Sequence, residues 1–195
     1  NCDVIVQNCF FHRLLGDKDA IDFDFNGDGR SLIEGCIFMD GTDDGVDLGD
    51  TSVDIRNNIF IRIADKALSL EGNGPNGQPT FSGNIMFAGG TAVALKDGVN
   101  VVEGHNNTIV GNSEGIDLFA KDSSPDGGHA LLHSNIVWNN VIDVRLDGLS
   151  TLELTESNIL QGWTGANNIS LDPQFTDLSD LDFSSVVTAA QIASR

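Results

Sequence analysis

Short apolar triplets recur along this chain at nearly constant intervals, each behind a small polar residue. Aligning QNCFF, EGCIF, RNNIF, SGNIM, HNNTI, HSNIV and ESNIL places Cys9, Cys36, Asn58, Asn84, Asn107, Asn135 and Asn158 in one column. The steps between them are 27, 22, 26, 23, 28 and 23 residues, the interval of a solenoid repeat. Phe10, Ile37, Ile59, Ile85, Thr108, Ile136 and Ile159 follow that column. A second column runs Ile21, Val46, Leu68, Val93, Ile116, Val144 and Ile169, and two residues further on stand Phe23, Leu48, Leu70, Leu95, Leu118, Leu146 and Leu171. Apolar, polar, apolar over three residues predicts a strand with one face inward. Two such strands per repeat, joined by Gly/Asp/Asn turns and with no long helical pattern, predict an all-β chain. The expected fold is a right-handed parallel β-helix of about seven rungs. An antiparallel sandwich of hairpins would not need the same residue types to recur in register.

Residues 1–175 carry the rungs, and the start at Asn1, already inside repeating structure, predicts that further N-terminal rungs are missing. Residues 176–195 break the pattern, and their SSVVTAAQIASR end reads as a short amphipathic helix capping the open end. The Asn column predicts a ladder of side-chain amides, each bonded to the next rung. Cys9 and Cys36 occupy its first two places, within disulfide range across adjacent rungs. Parallel side-chain directions disfavour that bond, so stacked thiols are the expectation. Phe11, Phe38, Phe60 and Met86 form a predicted core stack.

Charge changes the picture more than size does. With 29 acids against 10 bases the formal net charge is -19, which argues against nucleic acid and anionic membranes as partners. A polyanion would bind only through bridging cations. No run of about 18 apolar residues suggests membrane insertion. Three cysteines are too few for a disulfide scaffold.

The acids concentrate in two segments with one grammar, Asp19-Ala20-Ile21-Asp22-Phe23 and Asp44-Gly45-Val46-Asp47-Leu48. On neighbouring rungs their carboxylates stack roughly 4.8 Å apart. Asp22, Asp47, Ser69, Ala94, Asp117, Arg145 and Ser170 are the predicted outward residues of one sheet. With Asp19, Asp43 and Asp44 in the turns they make a local acidic patch. Calcium takes six to eight oxygens in flexible geometry, so carboxylates from adjacent rungs suit it. The candidate ligands are Asp19, Asp43, Asp44, Asp47, Asp22 and Asp24. Asp22, Asp24, Asn26 and Asp28 also match the start of an EF-hand loop, but the closing acid, Glu34, falls one place late. Without flanking helices that stretch is a calcium-binding turn or a plain Asn-Gly turn with acidic neighbours.

Over roughly Asp17 to Gly72 the sequence resembles right-handed β-helix modules of large bacterial surface proteins, in which rungs like DAIDFDF, DDGVDL and DKALSLEG follow one another. The same acids resemble the calcium site of family 9 pectate lyases, a match that implies metal-ligand roles for Asp19, Asp43, Asp44 and Asp47. In those lyases calcium acidifies the uronate C5 proton and a lysine on a later rung removes it. The matching position here is Ser69. Lys66, three residues earlier, is expected to leave from a turn and pair with Asp65 or the acids, and Lys96 is the other nearby amine. His129 and His133, at i and i+4, share no helical face. The aromatic platforms Trp138 and Trp163 lie far from the acids.

Two functions follow as expectations. The first is a calcium-stabilised, non-catalytic β-helix module of an extracellular or cell-surface bacterial protein. It would serve as scaffold, adhesion surface or contact face for acidic or neutral polysaccharide beside other domains of a larger parent. The second is a calcium-dependent polysaccharide lyase, for which Lys66 is a weak candidate base.

Overall fold

The computed structural model describes residues 3–23, 29–72, 77–121 and 124–175. The proposed cap at 176–195, Asp24 and the rest of the EF-hand-like loop lie outside the described residues. Each turn of the chain contributes three strands, one more than the periodicity suggested. The first turn comprises β1 (Ile5–Gln7), β2 (Phe10–His12) and β3 (Ile21–Phe23). The second holds β4 (Ser31–Glu34), β5 (Ile37–Met39) and β6 (Val46–Gly49), and the third β7 (Val53–Arg56), β8 (Ile59–Ile61) and β9 (Lys66–Glu71). Then come β10 (Thr80–Ser82), β11 (Ile85–Phe87) and β12 (Thr91–Lys96), followed by β13 (Asn100–His105), β14 (Thr108–Val110) and β15 (Glu114–Phe119). The sixth turn is β16 (His129–His133), β17 (Ile136–Trp138) and β18 (Ile142–Leu146), after which β19 (Thr151–Thr155) and β20 (Asn158–Ile159) begin a seventh.

Strands from successive turns pair in parallel to build three sheets, the first from β1 to β19, the second from β2 to β20 and the third from β3 to β18. The arrangement is a right-handed parallel β-helix. The missed strand carries an inward residue three places before the polar column: Ile33, Ile55, Phe81, Leu132 and Leu154, all buried, and Val53, Val101 and Ala130 add a second buried residue earlier in their strands. Gly104 takes that place in the fifth turn, because a Cβ there would lie 2.7 Å from the Phe81 ring and 2.3 Å from Leu132.

Tight corners let each turn close in so few residues. Between the first and second sheets one residue per turn has positive φ, namely Asn8, Gly35, Asn57, Gly83, Asn106, Ser134 and Glu156. Such a conformation redirects the chain in a single step, and Asn and Gly tolerate it best. The residue that follows points its side chain into the corner, where the amide ladder forms. Asn84 Oδ1 accepts the Asn58 N–H at 2.9 Å, Asn107 Oδ1 that of Asn84 at 3.0 Å, and Asn135 Oδ1 that of Asn107 at 3.0 Å.

The last rung corrects two sequence assignments. Ile136 pairs with Asn158, so the ladder position belongs to Ser157, whose Oγ accepts the Asn135 N–H at 3.0 Å. Asn168 follows Ser157 in the ladder. Ile169 bridges Asn158 rather than joining the third sheet, and both Ile169 and Leu171 are exposed. The chain returns after about half the usual interval and skips the third sheet, so among the described residues the apolar column there ends at Val144 and Leu146 and the outward column at Arg145 rather than Ser170.

Inside, the predicted stack is present: Phe11, Phe38 and Phe60 lie ring on ring at 4.7 and 4.6 Å, and Met86 pairs with Phe60 in register. Cys9 and Cys36 are free thiols, with the Cys9 N–H 3.5 Å from Cys36 Sγ. A second ladder at another corner, Asn112 to Asn140, went unread in the sequence.

Candidate cation site

The acidic patch forms where the loops leading into β3 and β6 lie one over the other. Thr42 ties them together, its hydroxyl donating to the carbonyls of Leu14 at 3.1 Å and Gly16 at 2.8 Å. Asp44 N–H then donates to Asp19 Oδ1 at 3.1 Å, and Ala20 N–H to Asp44 O at 3.0 Å. Gly45 completes the Asp-Asp-Gly turn, because a Cβ at that position would stand 2.7 Å from Ala67 O and 3.0 Å from the Phe60 ring. The close approach of the next turn therefore requires glycine there and fixes where Asp43 and Asp44 point.

Asp19, Asp43 and Asp44 each bring a carboxylate oxygen within 4.8 Å of the others. Two oxygens bound to one calcium ion at 2.3–2.6 Å can stand up to roughly 5 Å apart, so the triad fits a shared ion of that size. Asp22 and Asp47 are register neighbours on the third sheet but lie outside the triad. Asp22 is exposed, whereas Asp47 Oδ1 is buried and accepts no hydrogen bond among the described residues.

Electrostatics favour a cation at the triad. Burial raises the pKa of Asp19; the Asp44 amide opposes that rise, and the nearby Asp43, Asp47 and Asp22 carboxylates add to it. Burial also raises Asp44, against the attraction of Lys66 and a hydrogen bond with Ser69. For both acids the fold thus disfavours the charged form. The existing compensation is Lys66, which begins β9 rather than leaving from a turn. Its Nζ lies 3.3 Å from Asp44 Oδ1 and 2.6 Å from Asp65 Oδ2. Burial works against its charge, but these two carboxylates outweigh it and hold the Lys66 pKa above the usual lysine value. The expected pairing of Lys66 with Asp65 and the acids is thus present.

Ser69, Ala94 and Asp117 point outward as expected, yet they are buried. Long side chains from neighbouring turns lie over Ser69 and Asp117. Arg145 bridges Asp117 and Glu114 at 2.6 and 2.7 Å. Lys96, itself 4% exposed, reaches back over Ser69 and donates to its Oγ at 2.8 Å. The Lys96 ammonium stands 3.6 Å from Glu71 and 3.9 Å from Asp47. Burial lowers its pKa, and the Lys121 and Lys66 charges add to that while Asp47 and Glu71 resist. The amine missing from position 69 therefore arrives from the next turn. Register could have found it, since Lys96 lies two places beyond Ala94, the partner of Ser69.

The family model described as Beta_helix, right handed beta helix region, matches residues 1–136 of the chain. No curated protein and no solved structure matches it.

Proposed function

Because the chain belongs to the right-handed β-helix family, we propose that it is a calcium-stabilised, non-catalytic module of a secreted or surface-exposed bacterial protein, presenting its outer faces to polysaccharide. The observation carrying this reading is the convergence of Asp19, Asp43 and Asp44 from two successive turns. Asp19 and Asp44 both have raised pKa values. A bound calcium ion would supply the positive charge that Lys66 alone does not, tying the two turns together. Its ligands would be carboxylate oxygens of the triad, with Lys66 swinging fully onto Asp65. Lys66 is not suited to proton abstraction, because two carboxylates hold it charged, and Lys96, whose pKa is depressed, is only 4% exposed to an incoming substrate.

Thermal unfolding in calcium and in EGTA tests the metal. At a calcium concentration a hundredfold above Kd, binding to the folded state contributes about 2.7 kcal/mol, or roughly 5–10 °C for a chain of this size. Asp19→Asn keeps the acceptor for the Asp44 amide and removes one ligand charge, so its melting temperature should not respond to calcium. The raised pKa sets the sign without metal. The folded state binds the Asp19 proton more tightly than the unfolded chain, so this carboxylate opposes folding at neutral pH and ceases to as pH falls through its raised value. Asp19→Asn in EGTA should therefore melt at or above the wild-type temperature at pH 7. An EGTA-insensitive wild type, or an unchanged calcium shift in Asp19→Asn, sinks the reading.

The second reading, a polysaccharide lyase, draws support from the depressed pKa of Lys96. Its Nζ would take the C5 proton of a uronate, the C–H electrons would form the C4–C5 double bond, and the O4 leaving group would depart. Unsaturated product absorbing in the ultraviolet, formed from polygalacturonate by the wild type and lost in Lys96→Ala but not in Lys66→Ala, would establish it over the non-catalytic one.

A further inference from the structure

The outer face of the first sheet carries a notch unrelated to the acidic patch. On β10 the outward residues are the short Thr80 and Ser82, whose register partners are Asp54 and Arg56 on one side and Glu103 and His105 on the other. Short side chains between long ones leave a cavity of about 190 Å³ lined by these six residues. Its walls rise from strands two spacings apart, roughly 9.6 Å between their backbones.

Those walls are held in place by their own contacts. Asp54 accepts from Thr80 Oγ1 at 2.6 Å and from Arg30 Nε at 2.8 Å. Arg56 pairs with Glu34 at 2.8 Å. His105 Nε2 meets Glu103 at 3.2 Å while its ring stacks on His133, centroids 5.0 Å apart. One polar atom in the wall is left over: His105 Nδ1 is buried and makes no hydrogen bond among the described residues. Beside the notch, Leu131 is 50% exposed on β16, an apolar surface next to the polar groups.

Charge selects the ligand class. In a chain of net charge -19, this strip interleaves both signs, with Arg30 on Asp54 and Arg56 on Glu34 beside the Glu103 carboxylate. A polyanion would meet Glu34, Asp54 and Glu103, and a free cation would meet the two arginines. A neutral ligand offering hydroxyls as both donors and acceptors meets neither penalty, and carboxylates beside guanidinium and hydroxyl groups suit vicinal diols. We infer that the notch over β10 is a subsite for a neutral glycosyl unit of a polysaccharide. The inference rests on the proposed polysaccharide contact but not on the calcium site, which lies in the loops leading into the third sheet.

The test titrates the protein with β-linked gluco- and manno-hexaoses and with hexagalacturonate, each in calcium and in EGTA, by calorimetry and amide chemical shifts. At least one neutral hexaose is expected to bind alike in calcium and EGTA, shifting amides of β7, β10 and β13. Ser82→Phe, which fills the notch from an outward position, should weaken binding by about tenfold or more. Glu103→Ala, at an exposed site, should weaken it without changing the melting temperature. Absence of binding by both neutral probes at millimolar concentration, binding of hexagalacturonate alone, a requirement for calcium, or equal affinity in both variants would each overturn the subsite. Loss of the calcium-dependent melting shift with neutral-sugar binding intact would instead remove the metal and leave the subsite standing.

Discussion

Asn84→Ala should lower the free energy of unfolding by about 3 kcal/mol. Asn84 is fully buried, and its Oδ1 accepts both the backbone N–H and the Nδ2 of Asn58, while its own Nδ2 donates to Ile55 O and Asn107 Oδ1. Alanine leaves the Asn58 N–H buried without an acceptor, and a stranded donor of this kind costs about 1–3 kcal/mol before the other lost bonds are counted. Asn158 carries the same side chain one place out of the ladder, on a partly exposed rim where it bonds Leu171. Asn158→Ala should therefore cost about 1 kcal/mol or less. Guanidinium unfolding followed by circular dichroism measures both. Equal losses at the two sites would mean that the ladder does not hold the corner.

The largest single loss is expected for Phe60→Ala, at about 3–5 kcal/mol. The Phe60 ring is 1% exposed, lies flat against Phe38 at 4.6 Å and faces Gly45 of the adjacent turn. Removing it opens a cavity that neither neighbouring turn can close, because their spacing is fixed by the parallel hydrogen bonds. Phe60→Met, which extends the place held by Met86 in the next turn, should lose less than half as much. The cavity would also lie beneath Gly45 and loosen the Asp-Asp-Gly turn, so the calcium-dependent part of the melting temperature should shrink in Phe60→Ala and survive in Phe60→Met. A calcium response unchanged in Phe60→Ala would separate the core from the acidic loops.

Much of this was legible in the residues themselves. The polar column before each apolar triplet located six of the turns because every rung meets the same corner, and a corner that buries a backbone N–H needs a side-chain acceptor, supplied mostly by Asn and at its ends by Cys36 and Ser157. The misplacement of Asn158 was also avoidable. Three places before a true ladder residue stands the inward side chain of the first sheet, and two places after it that of the second. Ser157 satisfies both rules through Leu154 and Ile159, which are buried, whereas Asn158 would put Thr155 and the exposed Leu160 inside. The third strand went unread for a related reason. Its inward residues follow no steady alternation: only Ile33 and Phe81 are buried in β4 and β10, Val53 and Ile55 stand two apart in β7, and Val101 and Gly104 stand three apart across a bulge in β13.

By itself the sequence determined the repeat, its length and the apolar columns, because each of these depends on a local pattern that recurs whenever a rung must cover its neighbour. It also marked the acids of two consecutive turns as partners. The tertiary structure alone decided which side chains meet across turns: that Asp19, Asp43 and Asp44 converge while Asp22 faces solvent, that Lys66 sits on Asp44, and that Lys96 lies over Ser69. Loop lengths between strands vary, so the stacking of backbones, rather than spacing along the chain, sets which residue stands above which. A lysine stem long enough to cross a strand spacing can then place its charge a full turn away from where its position in the sequence would put it.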